Sequence, residues 1–148
     1  MKTLVTGHRL HKLQQYDIAW IQNAILESLE ETFLVSTSYG LSGMASGVDL
    51  WFCDACTFWN IPYTACIPFE SQSETMDNDS KLEREHLIKN AADVLKIRNS
   101  QMVEKANAAL VVFDGNKGGT HNVFQQLIER NIPMVWINPV GKKVWELI

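Results

Sequence analysis

Short apolar runs alternate with segments of helical periodicity along the chain, and this alternation constrains the fold more than any other feature. Thr3–Thr6, Tyr63–Ile67, Ala109–Phe113 and Met134–Ile137 are short and largely apolar, as expected of parallel strands that are buried on both faces. Strands of this kind that are joined by helices form a parallel sheet with helices on both sides. We therefore predict an α/β fold, a Rossmann-like three-layer domain with a central parallel sheet, and a single domain over residues 1–148.

The same patterns predict the other elements. Ile18, Ile21 and Ile25 recur at helical spacing within a predicted helix from about Gln14 to Glu31. A second helix, Val48–Trp59, is apolar nearly all round, which indicates deep packing. The further predictions are strands at Phe33–Ser36 and Val94–Ile97, a polar, acidic loop at Pro68–Ser80, and helices at Lys81–Ala92, Asn99–Asn107 and Thr120–Arg130.

Composition and charge disfavour several classes of protein. The 148 residues carry 13 Lys and Arg against 17 Asp and Glu, a formal net charge of −4, whereas nucleic-acid binders usually have a basic surplus. No stretch approaches the roughly 20 apolar residues that span a bilayer. The odd count of three cysteines and the short, polar N-terminus predict reduced thiols and a cytoplasmic protein.

The turn after the first strand is the first candidate site, because ligands bind at the carboxyl ends of the strands in open parallel sheets. This strand ends in Thr6-Gly7-His8-Arg9. Gly7 permits a sharp turn and a close approach by a ligand, and Arg9 can form two hydrogen bonds with a phosphate or carboxylate. The alternative is a simple strand-to-loop turn with an exposed arginine.

A second candidate turn is rich in small residues and precedes the Val48–Trp59 helix. Gly43 and Gly47 lie four residues apart and leave free backbone N–H groups at the positive end of a helix, which is an anion site in physical terms. Asp49 caps this helix or accepts a hydrogen bond from a sugar hydroxyl. The alternative is a tight turn that is capped by Ser46 or Asp49.

The third candidate turn follows the Ala109–Phe113 strand and again combines glycines with a following helix. Both glycine-rich turns would lie at one edge of the sheet, and together they favour a cradle for phosphate or pyrophosphate. The residues of this turn that we expect at the ligand are Asp114, Gly115, Gly118, Gly119, Thr120 and Asn122.

Other reactive side chains indicate no metal or nucleophile site. Cys53 and Cys56 form a Cys-x-x-Cys pair, but they lie in an apolar helix without a second pair, so we predict buried core residues. Cys66 lies in a strand and is also expected in the core. His8 and His11 have no third ligand at a matching spacing, and we predict no metal site. The chain has no Walker-type motif and no Gly-x-Ser-x-Gly motif.

Four segments, in this order, resemble the SLOG superfamily of Rossmann-like nucleotide-binding proteins, and most closely its YpsA-like branch. They are Ser42–Phe52, Ile67–Gln72, Arg98–Val103 and Asp114–Asn122. The wider superfamily includes DprA-like DNA-processing proteins, LOG-type phosphoribohydrolases and sensor domains for NAD-derived signals. The resemblance implies that these segments bind a nucleotide or ribose-phosphate group, with an NAD-like or ADP-ribose-like ligand among the candidates and no cofactor assigned.

Individual positions carry the resemblance. Gly7 and Arg9 match the motif of the first turn, and Arg98 and Asn99 match an Arg-Asn motif. Val123 departs from the pattern, because LOG-type enzymes have a glutamate there, and the stretch between Ser80 and Arg98 is shorter than in typical YpsA-like chains. The other residues that we expect at the ligand on these grounds are His8, Ser42, Gly43, Met44, Gly47, Asp49, Pro68, Phe69, Gly118, Gly119 and Thr120.

Three functions follow from these observations. The leading hypothesis is a nucleotide-binding protein with a sensing or regulatory role. The second is an N-glycosidase or phosphoribohydrolase, for which Glu70, Glu74 and Asp114 are the candidate carboxylates and Glu70 and Asp114 the preferred ones. The third, a DprA-like binder of single-stranded DNA, is disfavoured by the net charge. Trp136, Trp145 and the tail Val144–Ile148 offer apolar surface for self-association.

Overall fold

The computed structural model describes residues 1–148 and contains one sheet of seven strands in the order β4-β3-β2-β1-β5-β6-β7. Neighbouring strands from β1 to β6 run parallel, and β7 is antiparallel to β6. The predicted α/β fold with a largely parallel central sheet is therefore confirmed. The strands are β1 Lys2–Gly7, β2 Tyr39–Ser42, β3 Tyr63–Cys66, β4 Asp93–Leu95, β5 Ala108–Val112, β6 Met134–Asn138 and β7 Lys143–Leu147.

Helices cover both faces of this sheet and give three layers. Leu4 and Val5 are adjacent in β1, so their side chains point to opposite faces, and they belong to two separate hydrophobic cores. The core around Val5 is closed by α2, α3 and α4, and the core around Leu4 by α5 and α6. The helices are α1 Leu10–Leu13, α2 Ile18–Glu31, α3 Val48–Phe58, α4 Asn78–Asn90, α5 Asn99–Lys105 and α6 Gly119–Glu129, and Phe33–Ser36 and Glu70–Thr75 are 3₁₀ helices.

The predicted strand at Phe33–Ser36 is wrong, because this segment is a 3₁₀ helix and the second strand is Tyr39–Ser42. The Thr32 hydroxyl caps the 3₁₀ helix by accepting a hydrogen bond from the Leu34 amide at 3.1 Å. Gly40 lies in β2 although glycine is unfavourable in the interior of a strand. A Cβ at this position would come within 2.9 Å of the Phe52 ring of α3, so the absence of a side chain makes room for that helix. Packing of α3 on the sheet therefore overrides the local preference.

The predicted loop at Pro68–Ser80 is also wrong. Residues Glu70–Thr75 form a 3₁₀ helix, and α4 begins at Asn78, three residues before the predicted start. The Asp77 carboxylate caps α4 by accepting a hydrogen bond from the Ser80 amide at 3.1 Å. Gln72 and Ser80 are buried, so the segment is held by polar contacts that hydrophobic periodicity does not reveal.

The predicted helix from Gln14 to Glu31 begins four residues later in the structure, at Ile18, and ends at Glu31 as predicted. The short α1 precedes it, and α2 begins at Ile18, where the Asp17 carboxylate accepts a hydrogen bond from the Trp20 amide at 3.1 Å. This N-cap defines the start of α2. The other helices begin and end within a few residues of their predicted bounds.

The C-terminal tail, predicted as a surface for a partner, is the antiparallel edge strand β7. It pairs with β6, and the rings of Trp136 and Trp145 lie 4.7 Å apart between centroids. Val144 and Ile148 remain exposed, and self-association stays a prediction. Most residues of β7 are exposed, so this strand has no apolar run that would predict it, and it depends on pairing with the neighbouring β6.

The three cysteines lie in the core as predicted. Cys53, Cys56 and Cys66 are free and buried, and burial raises the pKa of each thiol. All three are therefore protonated near neutral pH and chemically quiet. None of the helices combines the length and the apolar character that crossing a bilayer requires.

Candidate functional site

A cavity of about 420 Å³ lies at the carboxyl ends of the parallel strands. Its walls come from the turns after β1, β2, β3, β4 and β5, around the point where the strand order departs from β1 in both directions. This switch point is where open α/β sheets bind ligands. The lining residues are Val5, Thr6, Gly7, His8, Arg9, His11, Lys12, Gly43, Ala45, Asp49, Pro68, Gln72, Asn99, Gly119 and Thr120.

Half of the residues predicted at the ligand line this cavity, namely Gly7, His8, Arg9, Gly43, Asp49, Pro68, Asn99, Gly119 and Thr120. Phe69 lines an adjoining smaller cavity. The structure does not place the others in the wall of the main cavity. These are Ser42, Met44, Gly47, Arg98, Asp114, Gly115, Gly118 and Asn122.

Gly7 and Gly47 are required by close packing between the turns themselves. A Cβ at Gly7 would lie 2.6 Å from Cγ1 of Val48, the first residue of α3. Gly47 has a φ of +87°, and a Cβ there would lie 2.8 Å from the Leu10 amide nitrogen. The missing side chains at both positions therefore make room for neighbouring protein atoms. From the sequence, Gly7 was expected to permit a sharp turn and the close approach of a ligand.

The turn between β2 and α3 is fixed by its own hydrogen bonds. The Ser42 hydroxyl donates to the Asp49 carbonyl oxygen at 2.9 Å and accepts from the Met44 amide at 3.2 Å. The buried Met44 has a φ of 59°, the left-handed region that non-glycine residues seldom occupy. Ser42 and Met44 thus fix the conformation of the turn that forms part of the cavity wall, although neither residue lines the cavity.

Asp49 is the carboxylic acid in the cavity wall. Burial raises the pKa of this carboxyl to about 7. A hydrogen bond from the Ala45 amide at 3.2 Å and the nearby charge of Arg9 both lower the pKa, but burial outweighs them. Near neutral pH this carboxyl exists in both protonation states, so it can accept or donate a hydrogen bond.

His8 and Asp114 form a buried pair behind the cavity. His8 Nε2 lies 3.0 Å from Asp114 Oδ1 and 3.3 Å from the Asp114 amide nitrogen. These two contacts require different imidazole tautomers, and the shorter one favours a proton on Nε2. Burial lowers the pKa of His8 despite Asp114, which raises it. His8 is therefore mainly neutral near neutral pH.

The carboxylate of Asp114 is fully engaged by its neighbours. It accepts hydrogen bonds from the Tyr16 hydroxyl at 2.8 Å and the Asn116 amide at 2.9 Å, in addition to the His8 contact. Burial raises the pKa of Asp114, but these hydrogen bonds and the charge of His8 outweigh burial and hold it below its usual value. Asp114 thus joins the turns after β1 and β5.

The proposed catalytic carboxylates lie outside the cavity wall. Glu70 is exposed, and its carboxylate is 3.4 Å from the Lys96 ammonium. Asp114 is held as described above, and neither residue lines the cavity. Val123, at the position of the LOG-type glutamate, belongs to α6 and is buried in the hydrophobic core. Asp49 is the acidic residue in the wall of the cavity, and its carboxyl group is therefore the one that a ligand in the cavity could contact.

Two cations, Arg9 and Lys12, line the same cavity as the start of α6. Lys12 Nζ lies 3.4 Å from the place where a Cβ on Gly118 would be, and Gly118 precedes α6 without a side-chain cap. No carboxylate lies within 4 Å of the side-chain nitrogens of Arg9 or Lys12. A helix N-terminus and unpaired cations both favour an anion. The sequence analysis missed Lys12, although its position three residues after Arg9 was a usable signal.

Gln72 is a second residue that the sequence analysis missed, because its segment was predicted as a loop. Its amide nitrogen donates to the Gly43 carbonyl oxygen at 2.7 Å, and its amide oxygen accepts from Arg84 Nη2 at 3.0 Å. Arg84 is buried, and its Nε has no hydrogen-bond partner. This network ties the 3₁₀ helix Glu70–Thr75 to the turn after β2.

No group of three or more His, Cys, Asp or Glu side chains is arranged to hold a metal ion. His8 and His11 both line the cavity, but His8 is committed to Asp114. The polar side chains in the cavity wall are therefore two cations, two imidazoles, two hydroxyls, two amides and one carboxyl group.

Comparison with known proteins supports the fold of the chain. No family model matches the chain, and no curated protein matches it in sequence. Among solved structures, the X-ray structure of TM1055, a target of the Northeast Structural Genomics Consortium, is similar with a TM-score of 0.61 at 14% sequence identity. The match covers 90% of this chain and 71% of TM1055. A likeness at this identity shows a shared Rossmann-like α/β architecture.

Proposed function

We propose that this chain binds a nucleotide or nucleotide derivative through its phosphate and ribose, and that it serves a sensing or regulatory role. One observation carries the proposal: Arg9 and Lys12, which have no carboxylate within 4 Å, line one cavity with the uncapped N-terminus of α6 at the switch point of the sheet. The volume of about 420 Å³ lies within the roughly 300–1,000 Å³ of small-molecule sites.

The phosphate would lie against the first turn of α6. The α-carbon of Gly119 faces open space, since a Cβ there would meet no atom within 4 Å, and the backbone can therefore be approached closely. The Thr120 side chain and the ammonium of Lys12 add donors at the same place. Asp49, across the cavity, would accept a hydrogen bond from a ribose hydroxyl. The resemblance of the four segments to SLOG proteins supports the same assignment.

Thermal shift and calorimetry with AMP, ADP-ribose, NAD and inorganic phosphate test this proposal. A ligand that binds only the folded protein stabilises it by about 2.7 kcal/mol at a hundredfold excess over its Kd. We expect Gly119→Asp to abolish binding by placing a negative charge at the phosphate position, and the matched Gly119→Ala to retain the wild-type melting temperature. A complete absence of shifts at millimolar ligand would refute the proposal.

A second candidate is hydrolysis of the N-glycosidic bond of a nucleotide, and Asp49 is the observation that favours it. A carboxyl group in the cavity with a pKa raised by burial to about 7 is suited to proton transfer near neutral pH. Incubation with nucleoside monophosphates and chromatography for the free base tests this activity. Release of base that is lost in Asp49→Asn supports hydrolysis, and no release in the wild-type protein leaves binding as the function.

A further inference from the structure

A smaller cavity of about 220 Å³ adjoins the main cavity, and four residues line both. The shared residues are Arg9, His11, Ala45 and Gln72. The site is thus an elongated cleft with two lobes. We call the larger cavity the phosphate lobe and the smaller one the side lobe.

The side lobe has a different chemistry from the phosphate lobe. Phe69 and Met76 bring an aromatic ring and a thioether to its wall, and Phe69 is 52% exposed. Ser46 and Thr75 add neutral polar side chains, and no carboxylate lines this lobe. An aromatic ring and a thioether bind flat apolar faces, while hydroxyl and amide groups bind a polar edge. A nucleobase combines a flat face with such an edge.

The wall that carries Phe69 is held in place by buried polar contacts. Gln72, three residues after Phe69, is tied to the Gly43 carbonyl oxygen and to the buried Arg84 guanidinium. At the other end of the 3₁₀ helix the Met76 amide donates to the Ser73 carbonyl oxygen at 3.1 Å. Phe69 is therefore an exposed aromatic side chain on an anchored segment, which lowers the entropic cost of binding against it.

The two lobes together define the class of ligand. Building on the proposed function, we propose that the side lobe binds the base of a nucleoside phosphate whose phosphate lies in the phosphate lobe, with Phe69 stacking on the base. Arg9 lines both lobes and lies between the two ends of such a ligand. The site would therefore select intact nucleotides over ribose phosphates.

Isothermal titration calorimetry of AMP, GMP, CMP, UMP and ribose-5-phosphate tests this selectivity. We expect the tightest nucleotide to bind roughly 5- to 150-fold more strongly than ribose-5-phosphate, from the usual range of base–aromatic stacking. Phe69→Ala should remove most of this advantage and leave the affinity for ribose-5-phosphate unchanged. The matched control is Phe58→Ala, because Phe58 is 64% exposed on α3 and lines neither lobe.

The outcomes distinguish this inference from the proposed function. If nucleotides and ribose-5-phosphate bind equally, or if Phe69→Ala leaves nucleotide affinity unchanged, the role of the side lobe is overturned while phosphate binding stands. If Phe69→Ala weakens both ligands equally, the residue only supports the fold of the site, and the inference also fails. If no ligand binds wild-type protein, the proposed function fails and the inference with it.

Discussion

Replacing Asp49 with asparagine tests the effect of burying a carboxyl group in the cavity wall. Burial raises the pKa of Asp49 from its ordinary value of 3.8 to about 7 in the folded protein. The folded protein therefore holds a proton that the unfolded chain releases, at every pH between these two values. Stability from this group is complete below the unfolded pKa and is lost as the pH rises through the folded pKa.

The size of this effect follows from the two pKa values of Asp49. Each unit of pKa difference corresponds to about 1.4 kcal/mol. From the ordinary value of 3.8 and the folded value of about 7, wild-type protein should lose on the order of 3 kcal/mol relative to Asp49→Asn between about pH 5 and pH 8. Asparagine does not titrate, and its side-chain oxygen can still accept the Ala45 amide hydrogen bond.

Urea denaturation of both proteins across this pH range measures the difference in the free energy of unfolding. Burial beside Asp54 also raises the pKa of Glu83, to about 8, but this contribution is present in both proteins and cancels in the comparison. Parallel stability curves from about pH 5 to pH 8 would show that the folded protein does not hold a proton on Asp49, and would refute the reasoning.

Two further substitutions test how the turns are held. Gly7→Ala should destabilise the protein by about 1–3 kcal/mol, because its Cβ would lie 2.6 Å from Val48 Cγ1. Adding Val48→Ala to this variant should recover part of the lost stability. If the two changes in unfolding free energy are additive in a double-mutant cycle, the contact is contradicted. Asp114→Asn should cost about 1–3 kcal/mol near neutral pH, because it removes the negative charge of the carboxylate that accepts hydrogen bonds from the neutral His8 and Tyr16 side chains. Since the pKa of Asp114 is lowered, this difference should shrink as the pH falls through that value, and denaturation curves that differ equally at acidic and neutral pH would refute it.

Local patterns in the sequence were enough to predict the architecture. Buried strands such as Ala108–Val112 are apolar on both faces, and helices such as α6 have one apolar stripe, so the period of the pattern distinguishes them. Short segments whose structure depends on pairing with another strand could not be predicted in this way. Phe33–Ser36 has the composition of a strand but no neighbour to pair with, whereas β7 pairs with β6.

The lining of the cavity, which is the candidate site, could be predicted in part from local features of the sequence. Glycine-rich turns after strands are visible in the sequence, and the residues at Gly43, Asp49, Asn99 and Gly119 do line the cavity. Glu70 and Asp114 were chosen as acids because they are carboxylates near those turns, yet a side chain's direction depends on its partners. Lys96 pairs with Glu70, and His8 and Tyr16 hold Asp114.

The sequence by itself determined the parallel α/β architecture and the edge of the sheet where the glycine-rich turns meet, because periodicity and glycine turns are local properties. Only the tertiary structure decided which side chains meet there. It brought Arg9 and Lys12 into one cavity with the start of α6, tied Gln72 to Gly43, which lies 29 residues earlier in the chain, and buried Asp49 enough to raise its pKa. Desolvation and pairing between distant segments are properties of the packed molecule, and no short stretch of sequence contains them.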